Sequence, residues 1–341
     1  MAKSVVAVEI TEDSVRAAEV SAGRTPVLLK AGEVALPAGA ARDSEVLDRD
    51  AVALALTQLW SEADISSRQV IMGLTSRRIL VREHSTTLRD AVQIRQALPF
   101  QVQDLLPVPV EQAALDFYAA KDDGEQIHGL LVAAVAENIE EMIATLAQAK
   151  LHTDAVDLGA FGLSRVLGAI APADRTALLI YIGEHTTQLV IAVDGVPQFV
   201  RVIPLDLSPN RGDVPVPPPP PAPEPNLRGA LRRARAGGAA VAPAPTEPTP
   251  EEQAALIDLT GRLRSTLAFY LDREDGRAID VAWVAGAGTR HGRLRDVLTR
   301  IVGVDVAPLT ALDVVDAKGP LEPGLNTRLL STVALTIGGR R

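Results

Sequence analysis

Hydrophobic positions along the chain fall into short β-branched runs between polar turns, and into longer stretches with helical spacing. The run at 4–10 predicts a strand, Thr11-Glu12-Asp13-Ser14 a turn, and 15–20 a second strand. Ser21-Ala22-Gly23-Arg24 then turns into a third strand at 27–29. The same plan recurs at 177–182, 187–193 and 198–203, with Gly183-Glu184-His185-Thr186 as the first turn and Asp194-Gly195 as a hairpin turn. At an offset of 172, Val8 falls on Ile180, Ile10 on Ile182, Ser14 on Thr186 and Gly23 on Gly195. Two copies half a chain apart predict two related α/β halves rather than a solenoid, which needs many short periods.

Helices and strands alternate between the copies. Val52, Leu56, Leu59 and Trp60 stand at helical spacing within 48–64, ahead of a strand at 69–75. A strand at 78–84, a helix at 87–96 with a continuation through 101–106, strands at 112–119 and 129–135, and an amphipathic helix at 137–150 follow. This block reads as a strand-helix-strand-strand-helix module inserted in the first half. A strand at 155–158 and a helix at 161–170 return the chain to that half. Further on, the pattern predicts a long helix at 251–273 capped by Thr246 or Thr249, a strand at 279–284, a glycine turn at 285–289, and a helix at 294–301. A short strand at 304–307 and a terminal helix at 326–337 close it. The resulting division is 1–77 first half, 78–154 module, 155–176 return, 177–207 and 251–324 second half, and 325–341 a C-terminal helix on the first half.

Composition narrows the function. The 341 residues are 47% hydrophobic, enough for a real core, and carry a formal net charge of −9. An acidic chain with 3% aromatics lacks both the basic field and the stacking surface that nucleic acids need. Cysteine is absent, which excludes disulfides, thiolate metal sites and a cysteine nucleophile, and suits a reducing cytosol. The histidines (His84, His128, His152, His185, His291) lie far apart, with none at metal-ligand spacing. The first residues reach Glu9 too early for a secretory signal, and no apolar run approaches the ~20 residues of a membrane span. The expectation is a soluble, cytosolic protein without a metal site.

Proline is unevenly placed: 13 of the 24 lie between Ser208 and Pro250, including the run Pro217–Pro221. Five Arg (211, 228, 232, 233, 235) face Asp213, Glu224 and Glu247 there, so the stretch is locally +2. Without apolar period or ladder donors, 208–250 predicts a flexible, partly polyproline-II excursion, either a linker or a docking segment for a proline-recognition module or an anionic surface.

Three turns that follow strands, 11–14, 183–187 and 285–289, could cradle phosphates with backbone N–H groups and hydroxyls. Around them lie longer motifs. Phe100-Gln101-Val102-Gln103-Asp104-Leu105-Leu106-Pro107-Val108-Pro109 precedes Ala114-Leu115-Asp116-Phe117, and Leu130-Leu131-Val132-Ala133-Ala134 follows. Ala155-Val156-Asp157-Leu158-Gly159-Ala160-Phe161, Ser265-Thr266-Leu267-Ala268-Phe269-Tyr270 and Trp283-Val284-Ala285-Gly286-Ala287-Gly288 complete the set. Together they resemble the PilM family of type IV pilus assembly, which has the actin-like (ribonuclease H-like) two-domain α/β fold and is related to the FtsA family. The proline stretch falls where that family has outer helices of the second half, which predicts a reduced subdomain there.

The departures are as informative. Where the family's first phosphate turn reads D-I-G-S-S-S-V-K, this chain has Glu9-Ile10-Thr11-Glu12-Asp13-Ser14-Val15-Arg16, placing acids beside a phosphate. Only Ser14 and Arg16 suit a nucleotide there. The second turn opens on Tyr181 rather than the family's Asp, and a phenol does not replace a carboxylate for Mg²⁺. Gly183, Thr186, Thr187, Gly286 and Gly288 match. The expectation is a non-enzyme in which hydrolysis is lost and nucleotide binding is absent or confined to weakly held ATP and Mg²⁺; Glu9 and Glu184 read as solvated or structural. The resemblance implies a cytoplasmic scaffold at the inner face of the membrane, attached through partners. It would hold the N-terminal peptide of a bitopic PilN-like protein beside the module, with Phe100, Leu105, Leu106, Pro107 and Val108 as candidate contacts, and meet pilus motor and platform proteins or other copies of itself. An FtsA-like tether and an active actin-like ATPase are the alternatives; the chain ends on a core helix rather than a membrane helix, which disfavours the tether.

Overall fold

A computed structural model describes residues 4–338 apart from 24, 44, 107, 206–249 and 292. The proline-rich stretch up to Thr249, the two candidate caps within it, and Pro107 therefore lie outside the described residues. Strands β1 (Ser4–Ile10), β2 (Ser14–Ser21) and β3 (Val27–Ala35) form an antiparallel meander in which Ile10 stands opposite Val15. A small hairpin, β4 (Ala41–Arg42) and β5 (Glu45–Val46), carries Asp43 at its tip in a left-handed conformation (φ 53°) and has no counterpart among the predicted elements. Helix α1 (Arg49–Glu62) buries Val52, Leu56, Leu59 and Trp60, the face its spacing predicts, and Asp48 caps it by accepting from the Ala51 N–H. Strand β6 (Gln69–Leu74) then lies parallel to β1.

The module follows: β7 (Leu80–Thr86), α2 (Ala91–Val102), β8 (Ala113–Asp122), β9 (Ile127–Val135) and α3 (Ala136–Gln148), with strand order β7-β9-β8. Helix α2 starts four residues after its predicted position because Asp90 is its cap, accepting from the N–H groups of Val92 and Gln93. Alternation along β9 makes the module a sandwich. Leu131 meets Ile94, Leu98 and Val102 of α2, whereas Leu130 belongs to the main core. Met142 and Leu146 of α3 also join that core, so this helix packs on the first half rather than on the module's own sheet.

Strand β10 (His152–Leu158) adds to β6 in parallel, and α4 (Gly159–Ile170) leads into β11 (Thr176–Ile182), β12 (Thr186–Val193) and β13 (Val196–Pro204). Helix α5 (Pro250–Leu271), β14 (Val281–Ala285), α6 (Leu294–Val302) and β15 (Val306–Pro308) complete the second sheet. Its order, β13-β12-β11-β14-β15, repeats β3-β2-β1-β6-β10. The offset of 172 carries β1 onto β11 and β2 onto β12 end to end. It slips beyond them: Gly195 closes a tight hairpin at φ 78° with Asp194 at 50°, whereas Gly23 sits in a longer connection without positive φ. The pairing of those two glycines is corrected accordingly. Along β11, Leu178, Ile180 and Ile182 face Leu259, Leu263 and Leu267 of α5, while Leu179 and Tyr181 join the core shared with the first half.

The C-terminal region adds β16 (Asp316–Ala317) to the edge of β3. The single helix predicted at 326–337 is instead two, α7 (Pro323–Arg328) and α8 (Leu330–Thr336), with α7 capped by the Glu322 side chain. Every residue of α8 from Leu330 to Leu335 is buried, as expected of a helix wedged between α4 and β1, β2 and β6. Glycine makes the room: a Cβ at Gly73 would lie 2.4 Å from Leu335 Cδ1 and 2.8 Å from Glu9 Cγ. Among the described residues no helix is long and apolar enough to cross a membrane. Gly73→Ala should lower unfolding stability by about 1–3 kcal/mol in a denaturant titration, while Gly23→Ala, with nothing within 4 Å, should stay within about 0.5 kcal/mol of the parent.

Candidate functional site: the cleft between the halves

The first turns of the two halves face each other across a cleft, and each is closed on itself. The Thr11 N–H donates to the Ser14 carbonyl at 2.8 Å, the Ser14 N–H donates to Thr11 Oγ1 at 3.0 Å, and the Gly183 N–H donates to the Thr186 carbonyl at 2.9 Å. Charge then joins one turn to the other. Arg16, 3% exposed, donates from Nε to Glu33 at 2.7 Å and from Nη2 to Glu184 at 2.9 Å. His185 Nε2 lies 2.8 Å from Asp13 Oδ2, and Nδ1 lies 3.8 Å from Glu12 Oε2. At the offset of 172, Glu184 is the counterpart of Glu12 and His185 of Asp13. Of these equivalent pairs, Asp13 and His185 meet each other, while Glu12 and Glu184 are both acids with different partners.

Glu33 anchors the network from β3. It accepts from Arg16, from the Ser14 hydroxyl at 2.9 Å and from Arg328 Nε at 3.0 Å. Burial alone would push its pKa up, but Arg16 and Arg328 outweigh that and hold it below the usual carboxylate range. Burial likewise opposes the Arg16 charge, yet Glu184, Tyr181 and Glu33 keep its pKa raised. What remains of the cleft is about 30 Å³, the room of a single water, between Glu9, Thr11, Arg16, Tyr181, Gly183, Glu184, Thr186, Gln188 and Ser331.

Beneath it sits Glu9, 1% exposed at the end of β1. The Ser331 and Thr332 hydroxyls of α8 both donate to its Oε2, and Oε1 has no hydrogen-bond partner. Burial drives its pKa up despite those bonds, so the neutral carboxylic acid is favoured. Tyr181 donates to the Arg328 carbonyl at 2.8 Å, and burial raises its phenol as well. Glu9 is therefore buried rather than solvated, and Glu184 is half-buried in an ion pair.

Of the residues proposed from the sequence, Arg16, Gly183 and Thr186 line the cleft. Ser14 instead bonds Glu33, and Thr187 is buried beside Ile182 in the ladder. The turn at 285–289 forms a 3₁₀ helix (Ala287–Arg290), with Gly288 buried inside it. Gly286, at φ 90°, is needed for packing: a Cβ there would come 2.3 Å from the Ile182 carbonyl oxygen. Sequence reasoning missed Glu33, Asp43, Arg328 and Ser331, which carry no local motif. Superposing the two turns for opposite charge would have found Asp13 and His185.

A second recess lies beside the module, floored by Leu74, Ile79, Val135, Ile139 and Met142. Its rim holds Glu45, which accepts from Arg78 Nη1 at 2.9 Å and from Asn138 Nδ2 at 2.6 Å. Ala113 pairs with Val135, so the segment 108–112 enters β8 at one end of this groove. Nearby, Phe100 is 79% exposed and Leu105 is exposed, whereas Leu106 packs against the α2 core and Val108 is half-buried.

Two outcomes follow. Arg16→Ala leaves Glu184 without its cation and Glu33 with Arg328 alone, and should cost about 3–5 kcal/mol in denaturant unfolding. A raised carboxyl pKa stabilises the fold below the unfolded pKa and loses that contribution as pH rises through the folded one. Glu9→Gln, which does not titrate, should therefore gain in melting temperature relative to the parent as pH is raised from 4 to 8, and a constant difference would show that Glu9 does not titrate there.

A family model described as type IV pilus assembly protein PilM matches residues 7–202. Among solved structures, the PilM-PilN type IV pilus biogenesis complex is similar over 98% of this chain and 98% of that one, at 22% identity and a TM-score of 0.76. The ethanolamine utilization protein EutJ from Carboxydothermus hydrogenoformans is similar over 98% of this chain and 89% of that one, at 10% identity and a TM-score of 0.51. At such identities the likeness is one of fold, the actin-like two-half α/β architecture. The matched span covers more than half of the chain and takes in the first half, the module and the start of the second half: the chain belongs to the PilM family of type IV pilus assembly proteins.

Proposed function

We propose that this chain is a non-hydrolysing adaptor of the type IV pilus assembly platform, working at the cytoplasmic face of the inner membrane through its partners. The observation that carries the reading is the double tie across the cleft, an ion pair from Arg16 to Glu184 and a hydrogen bond between His185 and Asp13, at the turns that resemble the family's phosphate turns. The residues present do not suit a Mg²⁺-bound triphosphate. The turn amides of Thr11, Ser14 and Gly183 already have partners, the buried Arg16 guanidinium is taken by carboxylates, and Tyr181 stands where a metal-holding acid would be needed.

The partner in this reading is a bitopic PilN-like protein, and its N-terminal peptide lies in the groove between the module and the first half. Apolar Ile79, Val135 and Ile139 with a polar rim of Glu45, Arg78 and Asn138 suit an extended segment bearing alternate apolar side chains. Pilus motor proteins and further copies of the chain would then meet other faces, such as the α2 surface, where Val92 and Phe100 are exposed.

Both parts are testable. Millimolar Mg-ATP should leave the melting temperature unchanged and release no phosphate; turnover, or a shift of several degrees, overturns the nucleotide reading. In a titration with a synthetic N-terminal peptide of the partner, Ile139→Asp should weaken binding about tenfold or more while Phe100→Asp leaves it unchanged. The opposite pattern moves the peptide to the α2 surface.

A further inference from the structure

We infer that the β4–β5 hairpin couples the groove beside the module to the cleft between the halves, so that a peptide in the groove changes how tightly one half holds the other. The ligand side of this inference rests on the groove being the partner's seat; the coupling itself does not.

The hairpin touches both recesses with side chains two residues apart. Glu45 lines the groove and Asp43 lines the cleft. At the groove, Glu45 is held by Asn138 of α3 and by Arg78. Arg78 Nη2 also lies 3.9 Å from Asp43 Oδ2, so one guanidinium serves both acids. Asp43, 5% exposed, is gripped at two points by Arg77, Nε to Oδ1 at 2.7 Å and Nη2 to Oδ2 at 2.8 Å. Its main-chain N–H donates to Glu12 Oε2 at 3.3 Å, and that same carboxylate oxygen lies 3.8 Å from His185. The line of polar contacts therefore runs from Asn138 of α3 through Glu45, Arg78, Asp43 and Glu12 to His185 of the second half.

Two features make the hairpin suited to transmit rather than merely to span. Its strands have two residues each, so its own ladder is short, and the bonds of Asp43 and Glu45 add to the packing of Ala41 and Val46 on the core. Burial raises the pKa of Glu45 against the pull of Arg78, so a ligand that draws Arg78 away also weakens the case for a charged Glu45. A separate ion pair, Arg273 with Glu83, joins the second half to β7 without passing through the hairpin and supplies a control.

A contiguous line of contacts is geometry, and coupling has to be measured. Amide hydrogen exchange in Glu45→Gln and Asn138→Ala should speed up at 183–188, in the half neither residue touches, by about threefold or more. Arg273→Gln should leave the response to Glu45→Gln intact. By reciprocity, His185→Gln should change the affinity of the PilN-like N-terminal peptide, with no residue of the groove altered. Parent-like exchange at 183–188 in both groove variants overturns the coupling whether or not the peptide binds. Peptide binding that is indifferent to both Ile139→Asp and His185→Gln, with the exchange response present, overturns the groove as the partner's seat and leaves the coupling standing.

Discussion

Across the cleft, above their shared core, the two halves are tied by a buried cation. Arg16 reaches from the first half with Glu33 on one side and Glu184 of the second half on the other, in surroundings where an unmatched charge is prohibitive. A guanidinium is planar and multiply donating, so it can satisfy both acids at once and leave neither exposed to desolvation alone. His185 and Asp13 add a second tie between the same turns, and Arg328 adds a second cation on Glu33. Interactions within the chain thus close the cleft.

The closure reaches deeper into the molecule. Glu9, at the end of β1, is covered by α8, whose Ser331 and Thr332 hydroxyls donate to it. Burial raises its pKa against the pull of those bonds and of Arg16. Gly73 and Gly162 let α8 approach β6 and α4 closely enough to seal it. The short C-terminal helix is thereby part of the central core, although it comes last in the chain.

The module is tied to this core by packing on one side and by charge on the other. Met142 and Leu146 of α3 sink into the first half, and Arg77, Arg78 and Asn138 converge on the small hairpin between groove and cleft. The groove beside the module is consequently within a few polar contacts of the interface between halves.

Local pattern in the sequence determined a large part of this. The two strand-turn-strand copies at an offset of 172, the α1 face of Val52, Leu56, Leu59 and Trp60, and the order of elements in the module follow from periodicity, because each reflects burial within one element. The loss of glycine at Thr11 and of an acid at Tyr181 was equally plain. Boundaries went astray where a side chain overrode propensity, as with the Asp90 cap of α2, and the division of the C-terminal helix was not legible. Only the tertiary structure decided that Arg16 and Ser14 answer to Glu33 rather than to a ligand, that Gly286 serves backbone packing, and that Asp43, Arg328 and Ser331 belong to the site. The reason is physical. Periodicity records which way a residue faces, but a charge or hydroxyl is defined by what it meets, and its partners here come from 17 to 322 residues away.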